Sequence, residues 1–341
     1  MAKIASELTP PDSPGQKARL SSVLPSSYDS TLKLIGTTKF EPRSDIKNIL
    51  ITGGAGFIAL SDHNIDCILH FAACSHVQNS FNDQHSFTLN NVIGTHNLLE
   101  CVRKRGRITR FIHVSTDEVY GETPDESVDE SKQFLPTNPY SASKAAAEMY
   151  VYAYFKSFGI PVVIVRSNNV FGPCQYPEKI IPRFFALLSK DQPLTIQGSG
   201  LHRRRYLYGS DAADGFDTIL HRGVDGEAYN IESGVGVTNL EVAIRMLQLF
   251  GYDSESDFAT RLAWVADRPF NDHDYRVDGS KLANLGWKQN IPFEVGLTAT
   301  VDWYRCNMNA WWMDGSVDAI SVKTLPLDAE RLKDSTVLTG N

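Results

Sequence analysis

No stretch of this sequence is apolar for long enough to cross a membrane. A spanning helix needs about 18 consecutive apolar residues, and polar residues interrupt every run well short of that. The N-terminus also lacks the apolar core of a secretory signal. Cysteine is scarce: Cys67, Cys74, Cys101, Cys174 and Cys306 make an odd number with no C-x-x-C spacing. This excludes a disulfide framework, offers no metal-ligand pattern, and predicts free thiols in a reducing, cytoplasmic setting. Positive charge is in deficit, with 33 Lys and Arg against 40 Asp and Glu. A net charge of -7 argues against nucleic acid or an anionic membrane as partner. Arg203-Arg204-Arg205 is the local exception. Such a cluster reads as a solvated loop or as a phosphate contact.

What is present is the composition of a soluble globular chain with a real core, 42% hydrophobic and 21% charged over 341 residues. Residues 1–45 are rich in Ser, Pro and Thr without periodicity, and read as a disordered leader. From "KNILITGGAGFI" onward, short apolar runs alternate with helical stretches, the pattern of a parallel sheet covered by helices. "CILHFAA", "RFIHVST" and "PVVIVRSNNVF" read as buried strands. "NNVIGTHNLLECVRKRG" and "NPYSASKAAAEMYVYAYFKSFG" read as helices that end at a glycine. The expected organisation is an α/β domain over 46–173 and a smaller, mixed α/β lobe over 174–312, interleaved with the first. A polar tail over 313–341 completes it.

Three motifs carry chemistry. Thr52-Gly53-Gly54-Ala55-Gly56-Phe57-Ile58-Ala59 follows an apolar strand and fits G-x-G-x-x-A, which lets a backbone approach a pyrophosphate at a helix N-terminus. Alone it would equally suit a tight turn. Tyr140 and Lys144 lie one helical turn apart, so phenol and ammonium share a face. A nearby Lys charge is expected to lower the Tyr pKa towards a usable range. "STDEVYG" places Thr116, Asp117 and Glu118 at the C-terminal end of a strand, where doubly wound sheets bind ligands. An Asp–Glu pair in unequal environments divides into acid and base.

With these motifs the chain resembles the extended short-chain dehydrogenase/reductases, in particular the nucleotide-sugar 4,6-dehydratases. "HFAACSHVQNSF", "PTNPYSASKAAAE", "RSNNVFGPCQYPEKIIPRF", "RRYLYGSDAADGF" and "ADRPFNDHDYRVDGSKLANLGW" extend the likeness from Ile65 to about Trp303. The "RSNNVFGP" and "RPFND" forms resemble the UDP-glucose enzymes of rhamnose-type pathways more than the dTDP-glucose enzymes. The resemblance implies a Rossmann-like doubly wound sheet, bound NAD, a UDP-glucose or dTDP-glucose substrate, and a homodimer. It also implies roles. Tyr140 takes the proton of the sugar 4-hydroxyl, Lys144 holds the nicotinamide ribose, and Thr116 bonds the 4-oxygen. Glu118 removes the C5 proton and Asp117 protonates the departing 6-hydroxyl. Gly53, Gly56, Phe57, Ile58, Ala72, Ala73, Ser75 and Asn91 join Tyr140 and Lys144 around the cofactor. His76, Asn169, Lys179, Arg204, Asn230 and Arg268 hold the nucleotide sugar, while Arg203 and Arg205 stay solvated. A 4-epimerase or decarboxylase is disfavoured by Asp117 and Glu118.

The chain departs from this pattern after Ile58. A helix, a strand, a second helix and a third strand are expected there, yet "ALSDHN" leads almost directly to the strand at Cys67. The sheet is therefore read as truncated after its first strand, with an exposed edge and no seat for adenosine. Asp62 and Asp66 are read as solvating the join rather than binding ribose. A direct parallel pairing across so short a link is expected to be sterically hard. The competing reading is thus a catalytically impaired form that acts at most as a nucleotide-sugar-binding module.

Overall fold

The computed structural model describes residues 38–52, 64–123 and 126–311. Gly53, Gly56, Phe57, Ile58 and Asp62 lie outside them, as do the leader through residue 37 and the tail from 312. In chain order the elements begin with β1 (Ile49–Thr52), β2 (Cys67–His70), α1 (Val77–Asn82), α2 (Gln84–Phe87), α3 (Gly94–Arg105) and β3 (Arg110–Thr116). Then come α4 (Pro139–Phe158), β4 (Val162–Ser167), β5 (Asn169–Phe171), α5 (Ile180–Ser189), β6 (Leu194–Gln197), β7 (Arg203–Tyr208) and α6 (Gly209–Arg222). The remainder are β8 (Ala228–Ile231), β9 (Gly236–Thr238), α7 (Asn239–Leu249), α8 (Glu255–Arg261), β10 (Leu262–Val265), α9 (Ser280–Ala283) and α10 (Phe293–Trp311).

Five strands form one parallel sheet in the order β1-β2-β3-β4-β8. β8 returns to this sheet from the second half of the chain, pairing with β4. Successive residues of a strand point to opposite faces, and helices cover both. Ile68, Phe111 and Ile164 pack with Leu99 of α3 and Val151 of α4 on one face. Leu69, Ile112 and Val165 pack with Ile219 of α6 and with Trp287 on the other. Each such fully buried side chain contributes roughly 1.5–3 kcal/mol. The smaller sheets are β5-β7-β9 and β6-β10.

Local sequence explains the helix that carries the site. Asn138 accepts from Ser141 N and Ser141 answers to Asn138 N, with Pro139 at the first position. Gly159, at φ 66°, ends α4 in the left-handed conformation that glycine adopts without strain.

Expectations for the join and for the leader are corrected here. The short join does allow parallel pairing: Ile49 stands opposite Cys67, and Thr52 opposite His70. Asp66 supplies the reason. Rather than solvating the link, its carboxylate accepts from Lys47 N and Asn48 N at 3.0–3.1 Å, while Asp66 N and Cys67 N donate to Asn48 O. The start of β2 is thereby pinned to the start of β1. The second correction concerns the leader, whose last residues are docked. Thr38 Oγ1 donates to Asp214 of α6 at 2.6 Å, Arg43 N donates to His221, and the Phe40 ring lies 5.3 Å from that imidazole.

Candidate active site

The site forms where β3 runs out. Thr116 ends the strand, and its Oγ1 accepts from Glu118 N at 3.3 Å to start a single 3-10 turn over Asp117–Tyr120. Val119 and Tyr120 are buried in the core, which fixes the turn. Gly121 closes it at φ 74°, where a side chain would run into the Leu135 carbonyl. The first turns of α4 bring Tyr140 and Lys144 to the same place. Around them opens a cleft of about 450 Å³, a size suited to a small ligand.

Thr116, Glu118, Tyr140 and Lys144 line this cleft, and Asp117 lies immediately behind it between two cleft residues. Thr116 Oγ1 meets Asp117 Oδ1 at 3.0 Å, and Asn168 Nδ2 donates to Asp117 Oδ2 at 2.7 Å. Burial, followed by the neighbouring Glu118 charge, pushes the Asp117 carboxyl up to about 7. Glu118 is also raised by burial, opposed by the hydrogen bond that Asn138 Nδ2 donates at 3.0 Å. The two carboxyls thus differ in partners and surroundings, as an acid and a base require.

The expected effect of Lys144 on Tyr140 is corrected. Tyr140 is raised, first by burial and then by Glu118, against a hydrogen bond with Thr116 that lowers it. Lys144 Nζ donates to Val114 O at 2.7 Å, and burial brings it down to about 8. Desolvation outweighs the attraction anticipated from their spacing.

Of the remaining expected residues, Ala73, Ser75, His76, Asn169, Lys179, Arg204 and Arg268 line the cleft. Lys179 Nζ also donates to Ser75 O at 2.9 Å, joining the loop after β2 to the start of α5. Burial lowers His76, opposed by Glu178 3.9 Å away. Three of the expected residues lie outside that lining. Asn230 is fully buried and does not reach the cleft: its amide donates to Val128 O and Asp278 O and accepts from the Tyr120 hydroxyl at 2.9 Å. Asn91 is likewise buried, bracing Cys74 N, Cys74 O and Ser143 Oγ. Ala72 stands outside the lining, its N–H 3.3 Å from Thr52 Oγ1.

The arginine run divides by pleat. Arg204 donates to Asp272 O and Asn271 Oδ1, and its guanidinium lies 5.1 Å from the Tyr275 ring centre in the cleft wall. Arg203 is exposed, as expected. Arg205 is not solvated: its side chain pairs with buried Asp274 at 3.3 Å and donates to Gly234 O.

Sequence reasoning missed Asn138, Asn168, Arg183, Gln197, Asp272 and Tyr275, all of which line the cleft. Asn138 was visible as a helix cap before Pro139. The others carry no local signal. Together Lys179, Arg183, Arg204 and Arg268 make one end of the cleft strongly cationic. Burial lowers Lys179, Arg183 and Arg268, and repulsion from neighbouring guanidinium groups adds to it. Anionic groups of a ligand would relieve that crowding.

Among the described residues no helix is long and apolar enough to cross a membrane. The family model described as GDP-mannose 4,6 dehydratase matches residues 58–300. A trifunctional UDP-glucose 4,6-dehydratase/UDP-4-keto-6-deoxy-D-glucose 3,5-epimerase/UDP-4-keto-L-rhamnose-reductase of Arabidopsis thaliana is 45% identical over 302 residues. That match covers 83% of this chain and 44% of the plant protein, so the chain spans less than half of that relative's length. The dTDP-D-glucose 4,6-dehydratase of Mus musculus is 46% identical, with 72% of this chain and 70% of the relative covered. In structure, the dTDP-glucose 4,6-dehydratase from Streptomyces venezuelae with NAD bound superposes with a TM-score of 0.70 at 39% identity. It covers 73% of this chain and 76% of that one. On the strength of the matched family model and of the cleft built at the end of β3, the chain belongs to the GDP-mannose 4,6-dehydratase family.

Proposed function

We propose that this protein is a nucleotide-sugar 4,6-dehydratase that uses NAD and converts UDP-glucose to UDP-4-keto-6-deoxyglucose. The observation that carries the reading is the division of labour between two adjacent carboxyls beside Tyr140. A group held at about 7, as Asp117 is, retains a proton to donate near neutrality. Glu118, facing the cleft, is placed to accept one. The related dehydratases with UDP-glucose and dTDP-glucose in their names support the reaction class. The "RPFND" form, with Phe270 lining the cleft, is the ground for preferring UDP-glucose.

The residues fit the nicotinamide half of NAD. Ala73, Ser75, Tyr140 and Lys144 line one side of the cleft, and Lys144 is tied to a backbone carbonyl with its two other N–H groups available. The glycine turn that would meet the pyrophosphate lies outside the described residues. Bound there, NAD would accept hydride from the sugar C4 and return it to C6.

The chain's own groups do the rest. Tyr140 takes the 4-hydroxyl proton while Thr116 bonds the same oxygen. Glu118 then removes the C5 proton, acidified by the 4-ketone, as Asp117 protonates the leaving 6-hydroxyl, and Glu118 gives that proton back to C5 when C6 regains hydride. The net change is loss of one water. Lys179, Arg204 and Arg268 would hold the diphosphate, and His76 and Asn169 would complete the substrate's surroundings.

Mass spectrometry of reactions with UDP-glucose and dTDP-glucose tests this. A product lighter by one water, formed faster from UDP-glucose, is expected. A product of unchanged mass would indicate epimerisation and overturn the assignment, while preference for dTDP-glucose would overturn the choice of base. Exposed Leu89, Ile93, Met149 and Tyr150 on α4 and the stretch before α3 support assembly as a homodimer. Sedimentation tests that assembly, and a monomer at micromolar concentration would refute it.

A further inference from the structure

Asn168 lines the cleft yet touches the acid behind it, and its amide has a fixed orientation. Ser233 N donates to Asn168 Oδ1 at 2.7 Å, so that end is the carbonyl. The other end is therefore an NH2 group, and it lies 2.7 Å from Asp117 Oδ2. Both residues are buried, Asn168 at 2% and Asp117 at 3% exposure. An amide NH2 only donates, and so Oδ2 must remain an acceptor whether Asp117 is charged or neutral.

The consequence runs through Thr116. A hydroxyl has one proton and two lone pairs. One lone pair of Thr116 Oγ1 takes Glu118 N–H at 3.3 Å. The oxygen also lies 3.0 Å from Asp117 Oδ1, and Thr116 and Tyr140 line the same cleft. When Asp117 is ionised, the Thr116 proton is drawn to Oδ1. When Asp117 is protonated, the proton on Oδ1 points at Thr116, whose own proton is released towards the Tyr140 oxygen. That donation stabilises a phenolate.

Resting on the dehydratase reading, we propose that Asn168 is a positioning residue for both halves of the reaction: it confines the acidic proton of Asp117 to the oxygen facing Thr116 and thereby aims the Thr116 hydroxyl at Tyr140. The acid needed for loss of the 6-hydroxyl and the base needed at the 4-hydroxyl are then prepared by one proton. The charged and titratable groups around Asp117 are Glu118 beside it, Tyr140 from α4 and Arg204 from β7. Asn168 is the neutral donor among them.

The test compares wild type with Asn168→Leu and, as a smaller change, Asn168→Ser. Two readouts are used. In turnover, Asn168→Leu should lower kcat about ten-fold or more, change KM by less than about three-fold, and move the alkaline limb of the kcat profile upward. The upward sign follows from losing a hydrogen bond that favours ionised Asp117. Without substrate, the carboxylic infrared band of Asp117, identified by its loss in Asp117→Asn, should titrate at higher pH in Asn168→Leu than in wild type. A band that titrates at the wild-type pH overturns the proposal whatever the activity. A fall in affinity alone, with kcat and its pH limb unmoved, also overturns it. Should the leucine variant not fold, the serine variant is judged by the same criteria. If wild type dehydrates neither UDP-glucose nor dTDP-glucose, the dehydratase reading fails, and the infrared titration still decides whether Asn168 governs Asp117.

Discussion

β1 and β3 belong to one parallel sheet and are separated by a single strand, yet they are buried very differently. β3 is covered on both faces over nearly its whole length. β1 alternates exposed and buried residues, with Ile49 and Ile51 at 41% and 55% exposure although Leu50 is buried. Both sequences are rich in β-branched and apolar residues, so propensity does not explain the contrast. Position does. β3 lies between β2 and β4 with helices above and below, whereas β1 is the sheet's edge among the described residues. The chemistry follows burial: Thr116, Asp117 and Glu118 extend from the end of β3, where desolvation can separate two carboxyls. A scaffold at the well-packed centre supports these candidate groups even though the edge strand is only half covered.

The comparison can be broken most severely at the end of β3. Glu118→Gln removes the proposed base, and kcat should fall about 10²–10⁴-fold while the fold survives, measured by turnover and circular dichroism. Next in size is a matched pair on neighbouring strands. Ile68→Ala in β2, at 0% exposure, should cost about 2–5 kcal/mol in urea unfolding. Ile51→Ala in β1 should cost less than about 1 kcal/mol, because little of its surface leaves water on folding. Equal losses would show that the β1 edge is covered in solution.

Asp117 gives a smaller, pH-dependent effect. Its folded value is raised to about 7, whereas an unfolded Asp titrates near ~3.9. Between these values the folded state binds more protons, so stability falls as pH rises through the window. Asp117→Asn mimics the neutral acid and should stabilise the protein by on the order of 2–4 kcal/mol above the folded value. Below the unfolded value it should do nothing. Thermal melts on both sides of the window check the sign, and a pH-independent difference would refute it. A local change is expected at the join: Asp66→Ala releases Lys47 N and Asn48 N and should cost about 1–2 kcal/mol. Faster amide exchange confined to β1 and β2 would mark that loss.

Much of the site was legible because its chemistry is local in sequence. "STDEVYG" supplied a hydroxyl and two carboxyls at a strand end, and Tyr140 with Lys144 lay one helical turn apart. Helix ends at Gly106 and Gly159 were equally local, both adopting positive φ. Asn168 and Asn230 show where such reasoning stops. Both are asparagines beside parallel strands, yet Asn168 faces the cleft while Asn230 is enclosed by Tyr120, Val128 and Asp278. No spacing rule separates them, since the choice depends on which neighbours pack against each strand end. Arg204 and Arg205 differ for the same reason: adjacent residues on a strand point to opposite sides, and only packing says which side is the cleft.

By itself, then, the sequence determined the parallel α/β architecture, the helix caps, and the candidate groups Thr116, Asp117, Glu118, Tyr140 and Lys144 that gather at the cleft. Periodicity, capping and short motifs act within a few residues of each other. The tertiary structure alone decided that β1 pairs directly with β2, that burial raises Asp117 and Tyr140, and that Asn168 rather than Asn230 meets the acid. Desolvation and hydrogen-bond partnership are set by residues distant in the chain, and they exist only once the strands and helices have been brought together.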